Sequence, residues 1–88
     1  MIRTYRHKGL QRFAETGSKA GIQPANTKRL RNLLTALDAA DNPADMNAPG
    51  YRLHALHGDL EGHWLVSVSG NWWLTFAFQD GDAILVDY

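Results

Sequence analysis

The sequence predicts an α+β protein in which an N-terminal strand and two helices pack on an antiparallel β-meander. Before residue 41, apolar residues recur at the helical spacing of three and four positions. In residues 51–88 they alternate with polar residues instead, and short Gly-containing turns separate the alternating segments. A small sheet of this kind has to cover its apolar face, and the helices before it provide that cover.

Length and composition are those of an ordinary globular protein. The 88 residues suffice for one hydrophobic core, and we expect a single domain over residues 1–88. No apolar run reaches the ~20 residues of a membrane-spanning helix. The chain has no Cys, which excludes disulfides, a thiolate nucleophile and Cys-ligated metal sites. Because no signal-peptide pattern is visible, we expect a cytoplasmic protein that contacts no membrane.

The part of the chain before the meander predicts one strand and two helices. Residues 2–6 are rich in β-favouring side chains and are predicted to add a strand to the sheet. A first helix is predicted from about Lys8 to Gly17, and a second one after Pro24, which suits a first helical turn. Their apolar faces comprise Leu10, Phe13 and Ala14 in the first helix, and Leu30, Leu33, Leu34 and Leu37 in the second. The second helix is expected to lie across the sheet.

The predicted meander has four segments. The first, residues 51–55, alternates so that His54 points to the side opposite the core. The residues predicted to face the core are Tyr51, Leu53 and Ala55, then Trp64, Val66 and Val68, and then Trp72, Leu74, Phe76 and Phe78. Ile84 and Val86 are predicted to continue a last strand. Gly70-Asn71 and Asp80-Gly81 predict tight turns between the last three segments.

The net charge of zero conceals an uneven distribution. Eight of the nine Lys and Arg residues precede residue 32, where Glu15 is the single acid, so this part carries +7. The remainder has Arg52 against eight acidic residues and carries −7. A basic region can attract a polyanion such as RNA through its local field, even on a neutral protein. A solvated helix surface balanced by acidic loops is the alternative interpretation.

Two histidines are the candidates for chemistry. His54 lies out of phase with the core residues of its strand, and His57 follows at the strand end. One imidazole can take a proton from an oxygen while another delivers one, as cleavage of RNA at its 2′-hydroxyl requires. An exposed polar pair without a catalytic role is the alternative. A metal site formed with Asp59, Glu61 and His63 is conceivable, although neither Cys ligands nor a helical His pair supports it.

Trp73 lies out of phase with the apolar row of its own strand. It shares the sheet face of Thr75 and Ala77, so its indole is predicted to be partly exposed. Beside His54 it would form a stacking platform for a base. The alternatives are that it packs under the C-terminal segment or lies at an interface with a partner.

Five short segments carry a further pattern, namely residues 1–10, 17–22, 47–56, 70–72 and 81–83. In this order and spacing they resemble the HigB-type killer toxins of bacterial type II toxin-antitoxin modules, within the RelE/ParE superfamily. The resemblance covers essentially the whole chain. It implies a RelE-like fold, which is a microbial-RNase-like α+β architecture.

The resemblance also implies an activity and a set of partners. The activity would be that of an mRNA endonuclease that uses no metal or cofactor, cuts codons in the ribosomal A site and so inhibits translation. The partners would be the ribosome, mRNA and a HigA-type helix-turn-helix antitoxin that keeps the toxin inactive. Operator DNA would be contacted only through the antitoxin.

Compared position by position, the resemblance assigns His54, His57 and Tyr88 as catalytic residues. His54 occupies the position of the family's active-site histidine, and His57 stands where many members have a basic residue, often Lys. Tyr88 matches the tyrosine of a common Asp-Tyr-His ending. Trp73 falls where an Asn-Trp-Arg pattern places an arginine, whose charge an indole cannot replace at the scissile phosphate.

The leading hypothesis is therefore a HigB-like toxin with weakened cleavage. Its basic front, defined as Lys8, Arg12, Lys19, Lys28 and Arg29, would dock on ribosomal RNA, with Trp73 as a further RNA contact. One alternative is an inactive homologue that acts by binding its antitoxin. Another is a ParE-like inhibitor of DNA gyrase, against which His54 argues because a gyrase poison needs no general base.

Overall fold

Two helices and four strands follow one another in the computed structural model, which describes residues 1–88. The helices are α1 (Lys8–Thr16) and α2 (Thr27–Ala39). The strands are β1 (His54–Ala55), β2 (His63–Ser69), β3 (Trp72–Gln79) and β4 (Asp82–Asp87). Short 3₁₀ turns occupy Pro24–Asn26, Pro43–Met46 and Gly58–Leu60. None of the helices has the length and apolar character needed to cross a membrane.

The strands form one antiparallel sheet in the order β1-β2-β3-β4, which confirms the predicted meander. Asp80 and Gly81 join β3 to β4 and have φ angles of 54° and 82°. Two consecutive residues with positive φ are what a two-residue type I′ hairpin requires, so the Asp-Gly pair makes the predicted tight turn.

Both predicted helices are confirmed, and together they cover one face of the sheet. α1 ends at Gly17, whose φ of 77° is left-handed and whose amide donates a hydrogen bond to the Phe13 carbonyl at 2.9 Å. The predicted residues buried in the core are Leu10, Phe13, Leu30, Leu33, Leu34, Leu37, Val66, Val68, Leu74 and Phe76, and Val86 of the last strand joins them. Ala14, which was predicted to join them, is exposed. No helix covers the opposite face of the sheet.

The N-terminal segment does not form the continuous strand that was predicted for residues 2–6. It contacts β4 through two isolated parallel bridges instead. The bridges join Ile2 to Ala83 and Tyr5 to Val86. Between them, the Leu85 amide donates a hydrogen bond to the Thr4 hydroxyl at 2.8 Å. A side chain thus replaces a backbone partner where β4 departs from regular geometry.

The last strand contains a β-bulge that the alternation of Ile84 and Val86 did not predict. The register between β3 and β4 shifts within this stretch, and Leu85 has a φ of 54°. The extra residue brings Ala83 and Val86 into the core and turns Ile84 to the other face. Ile84 and Val86, which were predicted to continue the last strand, therefore both lie in β4 but on opposite faces.

The first strand of the meander is shorter than the predicted residues 51–55. Only His54 and Ala55 pair with β2, because Arg52 has a φ of 55° and interrupts the extended conformation before them. Tyr51 and Leu53 pack against the core as predicted. Ala55 lies on the predicted face, opposite Trp64, but it is exposed and not part of the core.

Candidate functional site

The open face is the side of the sheet that points away from the two helices. It consists of His54 in β1, His63, Leu65 and Ser67 in β2, Trp73, Thr75 and Ala77 in β3, and Ile84 and Asp87 in β4. One row of cross-strand neighbours runs from His54 through Leu65 and Thr75 to Asp87. Adjacent strands lie ~4.8 Å apart, so the row separates the Cα atoms of His54 and Asp87 by roughly 14 Å.

His54 and His57, the two predicted acid-base residues, lie at the exposed edge of this sheet. Both residues are exposed, His54 in β1 and His57 immediately before the turn Gly58–Leu60. His57 occupies the N-cap position of that turn, but its side chain does not cap it. Neither ring takes part in an ion pair. Both side chains are therefore accessible to a ligand, His54 from the open face and His57 from the turn that follows β1.

Arg29 connects the segment before β1 to the neighbouring strand. Its Nη2 donates hydrogen bonds to the carbonyls of Gly50 at 2.8 Å and Ser67 at 3.1 Å. Its Cζ lies 5.1 Å from the centre of the Tyr51 ring, and the Ser67 amide donates to the Tyr51 carbonyl at 2.8 Å. Since β1 has only two paired residues, these contacts fix the chain that leads to His54.

The remaining four residues of the basic front are Lys8, Arg12, Lys19 and Lys28, all of them exposed and without an ion pair. Lys8 and Arg12 lie on α1 and border a shallow depression of about 260 Å³. Lys28 lies in the first turn of α2, and Lys19 in the loop after α1. These cations belong to the helix layer, so the structure does not bring them together with His54.

Tyr88 lies on the helix side of the sheet. Its hydroxyl accepts a hydrogen bond from Nδ2 of Asn26 at 2.7 Å, and Asn26 accepts one from the Ser69 hydroxyl. Its ring stacks on Trp72, with the ring centres 4.9 Å apart and the planes 22° from parallel. Asn26 is 1% exposed, whereas Tyr88 is half-buried and Ser69 is exposed, so the network runs from the core to the surface. The structure thus places Tyr88 apart from the two catalytic histidines predicted with it.

Trp73 is 47% exposed on the open face, as its alternation predicts. Its cross-strand partner is Ser67 in β2. The C-terminal segment covers Trp72 and not Trp73, because Tyr88 stacks on the former. The interpretation that Trp73 packs under the C-terminal segment was therefore wrong.

Asp87 is an open-face residue that sequence reasoning did not include among the site residues. Its Oδ1 accepts a hydrogen bond from the Tyr88 amide at 2.8 Å. Val86 faces the core, and alternation of successive residues along a strand turns Asp87 outward. Alternation from an apolar residue that faces the core is therefore the signal for this position.

His63 begins β2 on the same face, two residues from the partner of His54. Both of its ring nitrogens are buried without a hydrogen-bond partner. No group of three or more His, Asp or Glu side chains comes together anywhere in the chain. The conceivable metal site formed by His54, His57, Asp59, Glu61 and His63 is therefore not assembled.

A separate groove of about 440 Å³ lies between the N-terminal segment, α1 and α2. Tyr5, Arg31 and Asp38 are the polar residues that border its apolar floor, together with Thr35. Burial raises the pKa of the Tyr5 hydroxyl above its ordinary value, and the carboxylates of Asp38 and Glu15 raise it further. The groove contains neither histidine of the open face.

Comparison with known proteins identifies the family. The RelE-like toxins of the type II toxin-antitoxin system HigB match residues 3–88 of this chain. The endoribonuclease HigB of Proteus vulgaris is 39% identical over 88 residues, which are 100% of this chain and 96% of the relative. Two helices on a four-stranded antiparallel sheet agree with the RelE-like fold. The chain therefore belongs to the HigB-like toxins of type II toxin-antitoxin systems, which function together with an antitoxin.

Proposed function

We propose that this toxin is a ribosome-dependent mRNA endonuclease that cuts codons in the A site and thereby inhibits translation. The observation that carries the proposal is its full-length match to an endoribonuclease. The exposed His54 on the open face supports it. The proposed partners are the ribosome, mRNA and a HigA-type helix-turn-helix antitoxin, through which alone operator DNA is contacted. Because the ribosome and mRNA are in the cytoplasm, the proposed location of the toxin is cytoplasmic.

The proposed reaction uses the two exposed histidines as base and acid. His54 takes the proton from a 2′-hydroxyl, and the resulting oxygen attacks the adjacent phosphorus. His57 donates a proton to the 5′-oxygen as the bond between that oxygen and phosphorus breaks. The products are a 2′,3′-cyclic phosphate and a free 5′-hydroxyl. Because the imidazoles supply both proton transfers, this step requires no metal ion or cofactor.

The site lacks a cation that would stabilise the charge on the scissile phosphate at the position of Trp73. Trp73 stands where the resemblance places an arginine, and an indole offers one neutral donor. Tyr88 remains a proposed catalytic residue, but its contribution requires release of its hydroxyl from Asn26 and movement of its ring from Trp72 towards the open face. Loss of one transition-state stabiliser commonly costs ~10²–10³ in rate, and we expect slowed cleavage of that order.

The basic front is proposed to dock the toxin on ribosomal RNA. Lys8, Arg12, Lys19 and Lys28 are exposed and unpaired, so they can neutralise phosphates without breaking internal contacts. Arg29 is the exception in this group, because an RNA contact would compete with its two carbonyl acceptors. Trp73 is proposed to contact RNA on the open face.

Induction of the wild-type chain in growing cells, followed by mapping of mRNA 5′ ends, tests this proposal. We expect cuts inside translated codons that disappear in the His54→Ala variant. Gln23→Ala is a suitable control, since Gln23 is exposed and its side chain caps no helix. Growth arrest without cuts would contradict the nuclease and favour inhibition of gyrase, as in ParE-like relatives.

A catalytically inactive toxin that acts by binding its antitoxin is the second candidate. It is favoured by Trp73 in place of an arginine and by the engaged hydroxyl of Tyr88. Induction would then cause no growth arrest, and the chain would still copurify with the antitoxin encoded beside it.

A further inference from the structure

Trp73 is the aromatic side chain of the open face that the rest of the chain leaves free. Nearly half of its surface is exposed, and none of the aromatic or cation-π contacts within the chain includes it. The adjacent Trp72 differs, because its ring is already stacked on Tyr88. Trp73 can therefore offer the face of its indole to a ligand.

The surroundings of Trp73 favour a neutral planar ligand. Ser67 lies opposite it and Thr75 follows on the same face, so the indole is bordered by hydroxyl side chains. Leu65, diagonally across from Trp73, is partly buried, so Trp73 is the exposed large apolar side chain at this position of the face and not part of a broad exposed apolar patch. Asp87, which pairs with Thr75, disfavours a phosphate at this end of the face by like-charge repulsion. A nucleobase is both planar and uncharged, so it fits these surroundings.

Trp73 is also near enough to His54 to contact the same strand of RNA. Their positions differ by two strands across the sheet and by two residues along it. With strands ~4.8 Å apart and a rise of ~3.4 Å per residue, their Cα atoms are separated by roughly 12 Å. The side chains of both residues project from the same face. RNA placed for reaction at His54 therefore brings a neighbouring nucleotide to Trp73.

We propose that Trp73 forms a stacking subsite for the nucleobase beside the scissile bond, and that this subsite prefers purines. The inference rests on the proposed function, since it assigns a base preference to the same RNA site. Every base has a face that can stack on an aromatic ring, so the subsite tolerates all sequences. A purine has the larger ring system and overlaps the indole more, which produces the preference.

Binding of RNA that cannot be cleaved tests the subsite without using activity. The probes are labelled single-stranded 2′-O-methyl oligoadenylate and oligouridylate of equal length, and fluorescence anisotropy measures their affinity for the full chain. We expect wild type to bind oligoadenylate more tightly. Trp73→Leu should weaken that binding by roughly 5- to 150-fold, the range for loss of one base-aromatic stack, and should abolish the preference.

Trp73→Phe is the matched variant, because it keeps a stacking ring while Trp73→Leu keeps only apolar bulk. Trp73→Phe should retain most of the affinity and the preference. Both variants should remain folded, because Trp73 lies outside the core cluster, and thermal melting checks this. The proposal is overturned if Trp73→Leu binds both RNAs as wild type does, if Trp73→Phe is as weak as Trp73→Leu, or if wild type binds neither RNA.

Mapping of cut sites separates failure of this inference from failure of the proposed function. If wild type cleaves, Trp73→Leu should lose the preference for a purine beside the cut, and Trp73→Phe should keep it. If wild type binds oligoadenylate preferentially but cleaves nothing, the nuclease is refuted while the stacking subsite stands. If Trp73→Leu loses antitoxin binding but keeps wild-type affinity for both RNAs, Trp73 is a protein contact and the inference is refuted.

Discussion

At the scale of single residues, the neighbours Lys28 and Arg29 have different tasks although both were assigned to the basic front. Lys28 is exposed and makes no ion pair. Arg29 donates to the carbonyls of Gly50 and Ser67 and lies over the Tyr51 ring. Adjacent positions on a helix point about a quarter-turn apart or more, so one cation reaches solvent and the other reaches the sheet.

Substitution of these two residues should affect stability to different degrees. Arg29→Ala should lower the free energy of unfolding by roughly 1–2 kcal/mol, because two carbonyls lose a charged donor. Lys28→Ala should change it by less than ~0.5 kcal/mol. Urea denaturation measures both values, and Arg29→Lys should recover only part of the loss because it lacks the planar fork. Equal stabilities of Arg29→Ala and Lys28→Ala would contradict this role of Arg29.

Tyr5 makes the stability of the folded protein depend on pH in the alkaline range. Its pKa is raised in the folded chain, first by burial and then by Asp38 and Glu15. The folded protein therefore keeps the Tyr5 proton at pH values where the unfolded chain, with a pKa near 10, has lost it. The resulting stability is complete below the unfolded pKa and is lost as pH rises through the folded pKa.

Tyr5→Phe removes the ionisable hydroxyl and should remove this dependence. We expect denaturation midpoints of the variant and wild type to agree near pH 7, since no protein partner for the hydroxyl is lost. Above pH 10 the wild type should lose stability more steeply than the variant. Parallel curves for the two proteins across the alkaline range would contradict the assignment.

At the scale of elements, the end of α1 depends on one residue with a left-handed backbone. Gly17→Ala should destabilise the protein by roughly 1–2 kcal/mol, because a Cβ at positive φ is strained. A methyl group added there would have no other atom within 4 Å, so crowding does not add to this cost. Gln11→Ala changes an exposed side chain of the same helix and should cost less than ~0.5 kcal/mol. If Gly17→Ala is as stable as wild type in thermal or urea unfolding, a side chain at position 17 is not strained.

The elements that could be predicted are those with a long and regular period. The four leucines of α2 and the alternation of β2 and β3 gave the correct faces, including the outward position of Trp73. The irregular elements could not be predicted in this way. The bulge at Leu85 adds one residue to β4, and its consequence for the core depends on the partner strand. The position of the N-terminal segment depends in turn on that bulged strand, because both of its bridges join it to β4.

At the scale of the whole molecule, the uneven charge predicts binding that weakens with salt despite a net charge of zero. The double variant Lys8→Ala and Arg12→Ala should bind ribosomes more weakly at low salt. The slope of log affinity against log salt should also become less negative, by roughly one unit for each cation that contacts phosphate. Asp41→Ala, which removes an exposed acid, serves as the control. An unchanged slope would show that these two cations do not contact RNA.

The sequence by itself determined the fold class, the family and the outward positions of His54 and Trp73. Helical and strand periods are local properties of the chain, and they assign faces without knowledge of the contacts. Only the tertiary structure decided that Arg29 ties the approach to β1 to β2, and that Asn26 engages the Tyr88 hydroxyl. These bonds join residues far apart in sequence, and which partner each side chain reaches is set by how the helices pack on the sheet.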